Sequence, residues 1–226
     1  MHVENINDVR YNNKVCMAGS DIRKGQGIRM KKWMVFMSCI ISCMLLGACG
    51  SGKDALEETT LIVQKNGKVT DAIMESFDKD YYSAEELQGM ITEELSEYGK
   101  LSGGKENAVL SEFTVEAGMA KVLIEFATPE DYASFNGVEF FYGTISEAYE
   151  DGYNLDVTLK SSESQDTIGR TELMEMGKNH IIIVNEPIRI QTYNKILYVT
   201  ANVDIIDEKA ARVSSESEGL AYIILK

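Results

Sequence analysis

Few residues in this chain could do covalent chemistry. Beyond residue 49 there is one histidine, His180, and no cysteine. A Ser-His-Asp triad would have to be built on His180, with Ser111 or Asp204 as partners that no motif joins to it. No Gly-x-Ser-x-Gly elbow occurs either. His180 precedes Ile181-Ile182-Ile183-Val184, the setting of a strand-end residue rather than of a general base. A lone histidine without thiols leaves no His/Cys set for a transition metal and no cysteine nucleophile. No catalytic, cofactor-binding or metal-ligating residue is therefore assigned.

Carboxylates are the abundant alternative. The 226 residues include 36 Asp and Glu against 22 Lys and Arg, a formal charge of −14. A pair of them could hydrolyse a glycosidic bond at a separation of about 5–9 Å, but in so acidic a chain some pair meets that distance by chance. Asp78-Lys79-Asp80 looks like the start of a calcium loop, yet Ser83 stands where the loop needs Gly and Gly89 where it needs a bidentate Glu. Asn202, Asp204, Asp207 and Glu208 form a second acidic cluster that reads as a solvated turn. Weak, extracellular-type calcium binding by this surface stays open. Nucleic acid is excluded as a partner, because its phosphates need a basic face. Leu101-Ser102-Gly103-Gly104-Lys105 lacks the strand–loop–helix context of a phosphate loop and reads as a flexible connection.

One segment departs from the average composition. The 22 residues from Tyr132 to Tyr153 hold Tyr132, Phe135, Phe140, Phe141, Tyr142, Tyr149 and Tyr153, seven of the chain's nineteen aromatics. Such a cluster is either the aromatic part of a core or a ligand or partner face, since tyrosine joins contact area to a polar tip. Tyr132, Phe141, Tyr149 and Tyr153 are the candidates for that face.

The front of the chain carries an address. Trp33 to Leu46 is an uncharged run of fourteen residues preceded by Lys31 and Lys32. It falls short of the roughly 20 residues needed to span a bilayer, but suits the apolar core of a secretory signal. With Leu46-Gly47-Ala48-Cys49 behind it, the chain resembles bacterial lipoproteins, whose lipobox is a Leu, two small residues and an obligatory Cys. The resemblance spans about residues 30–52. It implies cleavage before Cys49, a diacylglycerol on its sulfur, and a place on the extracytoplasmic face of a cell membrane. Met30 offers a natural start for the leader, so residues 1–29 read as a dispensable or misassigned extension, 30–48 as the signal peptide and 49–58 as a lipidated tether. The stretch DYASFNGVEFFYGT (131–144) also resembles uncharacterised lipoproteins of clostridial-type bacteria, a likeness that carries no activity.

Removing the leader takes away seven Lys/Arg and three Asp/Glu, leaving 15 basic and 33 acidic residues in the 178 from Cys49 onward. With no second cysteine that part must rely on its core, and its length suits one domain rather than a two-lobed receptor. Residues 59–226 read as a single α+β domain, a mostly antiparallel sheet built from hairpins and covered by one long and several short helices. Lys65-Asn66-Gly67-Lys68 predicts a hairpin whose Asn and Gly both take positive φ. Ser83 with Glu86 predicts a capping box, then a helix with Leu87, Met90, Ile91, Leu95 and Tyr98 on its stripe, stopping at Gly99. A second hairpin turns at Ala117-Gly118. Thr128-Pro129 and Thr144 to Glu147 start short helices, and 172–176 is a helical turn. Strands are expected over 138–142, 155–159, 180–184, 188–192, 196–203, 210–213 and 220–225, the last two paired across 214–219. The functional expectation is a non-catalytic ligand- or partner-binding lipoprotein, partnered by the lipid bilayer through Cys49 and by an unknown envelope ligand or protein. The alternative is a carboxylate-based cell-envelope glycan hydrolase.

Overall fold

The computed structural model describes residues 58–79, 82–103, 106–216 and 219–226. The lipobox, Cys49, the leader, the extension before it and the tether up to residue 57 lie outside them. The described residues belong to one unit, Asp54–Lys226. In chain order the elements of its first half are β1 (Thr60–Val63), β2 (Val69–Ser76), α1 (Ala84–Leu101), β3 (Ala108–Glu116), β4 (Met119–Phe126), α2 (Pro129–Asn136), β5 (Phe140–Thr144) and α3 (Ile145–Glu150). The second half adds β6 (Leu159–Ser161), β7 (Thr167–Ile168), α4 (Arg170–Glu175), β8 (His180–Val184), β9 (Arg189–Thr192), β10 (Ile196–Val199), β11 (Val203–Asp207), β12 (Ala210–Val213) and β13 (Ala221–Leu225).

The fold is α+β, with two sheets where the sequence suggested one. The larger runs β11-β12-β9-β1-β2-β4-β3, the smaller β5-β8-β13-β10-β6-β7. Among the described residues every pairing is antiparallel except β1 with β9. Leu61, Val63, Val69, Ile124, Ile190 and Val213 of the larger sheet share one core with Ile182, Val184, Val199, Ile223 and Leu225 of the smaller. Helix α1 adds Leu87, Ile91 and Leu95 to that core and packs on β3. The other face of the smaller sheet, with Ile181, Ile183, Tyr222 and Ile224, is covered by Ile145 and Ala148 of α3 and Leu173 of α4. Covered on both faces, β8 and β13 read as unbroken apolar runs instead of alternating.

Turn chemistry accounts for the hairpins. At 64–68 the expected double positive φ is not found: Gly67 alone is left-handed (φ +83). Its N–H donates to the Gln64 carbonyl, the Lys68 N–H to the Asn66 Oδ1, and the Gln64 N–H to the Lys68 carbonyl. This is a type I turn closed by a glycine bulge, a longer loop than the two-residue turn expected. At Ala117-Gly118 both residues are left-handed, with φ of 50 and 77.

Several other expectations are corrected. Helix α1 runs through Gly99 to Leu101, where Ser102 caps it by N–H and hydroxyl bonds to the Tyr98 carbonyl. Met90 falls on the solvent side, 46% exposed. The strand expected over 138–142 begins two residues later. Leu155, Val157 and Leu159 alternate into the second core, but only Leu159 onward joins a ladder, because alternation follows burial and not pairing. The run 196–203 is two strands in different sheets. Between them the Thr200 hydroxyl donates to Asn202 and accepts the Tyr222 N–H, holding a turn that crosses from one sheet to the other. For the same reason β12 and β13 do not pair: β12 joins β11 and β9, and β13 joins β8 and β10.

Candidate functional site

The segments around β5 build a concave surface on the domain. Side chains alternate along a strand, so Phe140 and Tyr142 turn to the inter-sheet core and Phe141 to the α3 side. Asn185 clamps the start of β5: its side-chain oxygen accepts the Glu139 N–H at 3.0 Å, and its own N–H donates to the Glu139 carbonyl. The chain after β5 enters α3 through a capping box, Thr144 with Glu147. It leaves through Gly152 (φ +87), whose N–H donates to the Tyr149 carbonyl while the Tyr153 N–H donates to that of Ala148. That left-handed glycine exit is a Schellman motif, which folds the next residue back over the helix end. It lays the Tyr153 ring against Phe141, centroids 5.0 Å apart and planes tilted by 50°.

Around this pair lies an open concavity of about 400 Å³, lined by Glu130, Glu139, Phe140, Phe141, Asp151, Gly152 and Tyr153. Glu130 comes from the first turn of α2 and Asp151 caps α3. Burial and then the charges of Glu139, Asp151 and Glu130, with Tyr222 among them, hold the Tyr153 hydroxyl above the ordinary phenol range. Three carboxylates thus converge on one half-buried aromatic pair. Among the described residues none of the three is paired with a Lys or Arg.

Of the four residues expected at a ligand face, this concavity unites Phe141 and Tyr153. Tyr132 is only 1% exposed: its ring packs edge-on to Phe126 and Phe140, and its hydroxyl donates to Glu186 at 2.6 Å. It belongs to the core because α2 presses it between the sheets. Tyr149 is exposed, but lies under the Arg170 guanidinium, 5.8 Å from its ring centroid. Glu130, Glu139 and Asp151 were not singled out from sequence. Their signal was an acidic residue on each flank of the aromatic segment, lost in a chain that is acidic throughout.

No triad is assembled on His180. Its ring stacks on Tyr142 at 5.2 Å and meets Tyr193 edge-on, while Ser111 and Asp204 sit on β3 and β11, opposite edges of the other sheet. Among the described residues no three His, Cys, Asp or Glu side chains are grouped to hold a metal ion. In the second acidic cluster, Asn202 and Asp207 bond to neighbouring turn atoms.

A different acidic group lies inside the core. Asp71 is opposite Leu61 on β1 and Ile124 on β4, facing the second sheet. It is 7% exposed and its Oδ1 has no hydrogen-bond partner. Burial, then the charge of Glu186, pushes its carboxyl up to about 7. Burial raises Glu186 as well. The alternation Val69, Asp71, Ile73 put this residue on the inward face and could have revealed it.

Comparison with protein-family models, with curated proteins and with solved structures finds no match to this chain.

Proposed function

We propose that this chain is a lipid-anchored protein of the extracytoplasmic face of a cell membrane, whose folded part is a non-catalytic domain that binds its ligand or partner at the Phe141–Tyr153 concavity. The anchoring half rests on the sequence: Lys31-Lys32, the apolar run and Leu46-Gly47-Ala48-Cys49 stand in the order of a lipoprotein signal. The binding half is carried by one observation, the half-buried aromatic pair open to solvent with three carboxylates around it. Among the described residues no serine, threonine, histidine or lysine lines that hollow.

Mass spectrometry of membrane-extracted protein tests the anchor. Chains should begin at a diacylated Cys49, and Cys49→Ala should leave the bilayer, because two acyl chains hold firmly where one binds only marginally. Recovery of an unmodified chain beginning at Met1 refutes it. The non-catalytic half is tested by incubation with purified cell-wall glycan, from which no reducing ends should be released. Release that Glu139→Gln abolishes would make the carboxylates of the concavity hydrolytic and overturn this half.

A further inference from the structure

We infer that the Phe141–Tyr153 concavity selects a small organic ammonium ion, a reading that rests on the binding function proposed for the same hollow. Two kinds of side chain meet there: the rings favour a bulky, weakly hydrated cation, and the carboxylates favour positive charge of any kind. The faces of aromatic rings attract cations through their quadrupole, most strongly where water is partly excluded. Phe141 and Tyr153 are both half-buried, with rings 5.0 Å apart and tilted by 50°, so they form a wedge and not a flat stack. Glu130, Glu139 and Asp151 stand exposed around that wedge. They come from three separate places in the chain: the start of α2, the entry to β5 and the end of α3.

Their charges act together. The Tyr153 hydroxyl feels all three, and Tyr222 on β13 feels Glu139 as well. A few surface carboxylates elsewhere in the domain have cationic neighbours, as Glu58 has in Arg189 and Arg212 and Glu112 in Lys121. Those of the concavity have none among the described residues, which leaves their negative field uncompensated around the aromatic pair. Cations are drawn to such a field and anions are repelled by it.

A bare metal ion is the other cation acids can hold. It needs several oxygens converging within about 2–2.6 Å of one point, and among the described residues no group of three acidic, His or Cys side chains is so arranged. An alkylammonium ion has no such need: its methyl or methylene groups rest on the rings while its diffuse charge is satisfied by carboxylates a little farther off. The concavity is open to solvent, so it meets one side of a small solute without enclosing it.

Calorimetric titration of the full chain in a nonionic detergent tests this, with choline as the probe and 3,3-dimethylbutan-1-ol as its uncharged isostere. Choline should bind saturably and at least tenfold more tightly than the isostere. Tyr153→Phe, which keeps the ring, should bind choline like the parent, whereas Tyr153→Leu should weaken it tenfold or more. The double variant Glu139→Gln, Asp151→Asn, at exposed positions with no effect expected on folding, should weaken it about tenfold and flatten its salt dependence. Equal binding of choline and the isostere, both lost in Tyr153→Leu, overturns selection of the charge while leaving a binding hollow in place. Absence of choline binding at millimolar concentration, or binding that neither Tyr153→Leu nor the double variant weakens, overturns the inference.

Discussion

Replacing Asp71 by Asn should stabilise this protein at neutral and alkaline pH and leave it little changed in acid. Asp71 projects from β2 into the space between the sheets, between Leu61 and Ile124, with Glu186 from the β8–β9 connection as its charged neighbour and the Tyr132 hydroxyl bound to that same Glu186. A carboxyl there is far better neutral than ionised. It titrates at 3.8 in a solvated chain and at about 7 in the fold. At about 1.4 kcal/mol per tenfold change in proton affinity, that difference amounts to about 4 kcal/mol. The folded state binds the proton more tightly, so the full contribution is present below about pH 3.8. It is lost as pH rises, and is gone once pH has passed about 7, where the fold must contain a buried anion.

Asn is the same size and does not ionise. Urea melts of parent and Asp71→Asn at steps from pH 4 to pH 8 therefore report the effect of Asp71 together with its coupling to Glu186, since the remaining carboxylates titrate alike in both. Entry of water around the anion reduces the full value, so the gap should open to about 2–4 kcal/mol in favour of the variant by pH 8. It should close towards pH 4. Parallel curves, or a variant less stable than the parent at pH 8, would refute the reasoning and place Asp71 in contact with water or a cation.

Two further substitutions test the packing. Phe140, 5% exposed between the sheets, should lose about 3–5 kcal/mol on truncation to Ala, and half-buried Phe141 clearly less in the same denaturant melts; equal, large losses would show that both rings are core and would remove Phe141 from the site. Ala117 holds a left-handed backbone at φ 50, so Ala117→Asn, a residue that tolerates that conformation, should raise stability by about 1 kcal/mol; an unchanged or lower urea midpoint would show that the turn carries no strain.

Local structure was legible wherever it depends on near neighbours. Ser83, Thr128 and Thr144 each cap a helix where their spacing indicated, because a hydroxyl reaching an amide three residues on is a contact within one turn. Phe140 and Phe141 part to opposite faces as period-two alternation requires. What was hidden depends on partners far along the chain. The apolar letters of 196–203 do not mark the corner at Thr200, which is held by Tyr222, and nothing in β12 and β13 says that they belong to different sheets. Within the candidate site the aromatic pair was legible as composition, but Tyr132 could be told from Phe141 only once α2 had been laid on the core. The carboxylates around the hollow were hidden by the acidity of the whole chain.

The place of β13 has a consequence for how such a chain comes to be folded. Residues 221–225 are the last strand described, yet they lie in the interior of the smaller sheet, between β8 and β10. Every residue of that strand is buried. A polypeptide emerging amino end first, from a ribosome or through an export pore, can form the hairpins of β1–β2 and β3–β4 early. It has no seam between β8 and β10 until residue 225 is out, and both hydrophobic cores stay open until then. β1 likewise waits for β9, more than a hundred residues later, as its parallel neighbour. Late closure of this kind slows folding and keeps the nascent chain threadable, a property that a polypeptide bound for the far side of a membrane needs for as long as it is in transit.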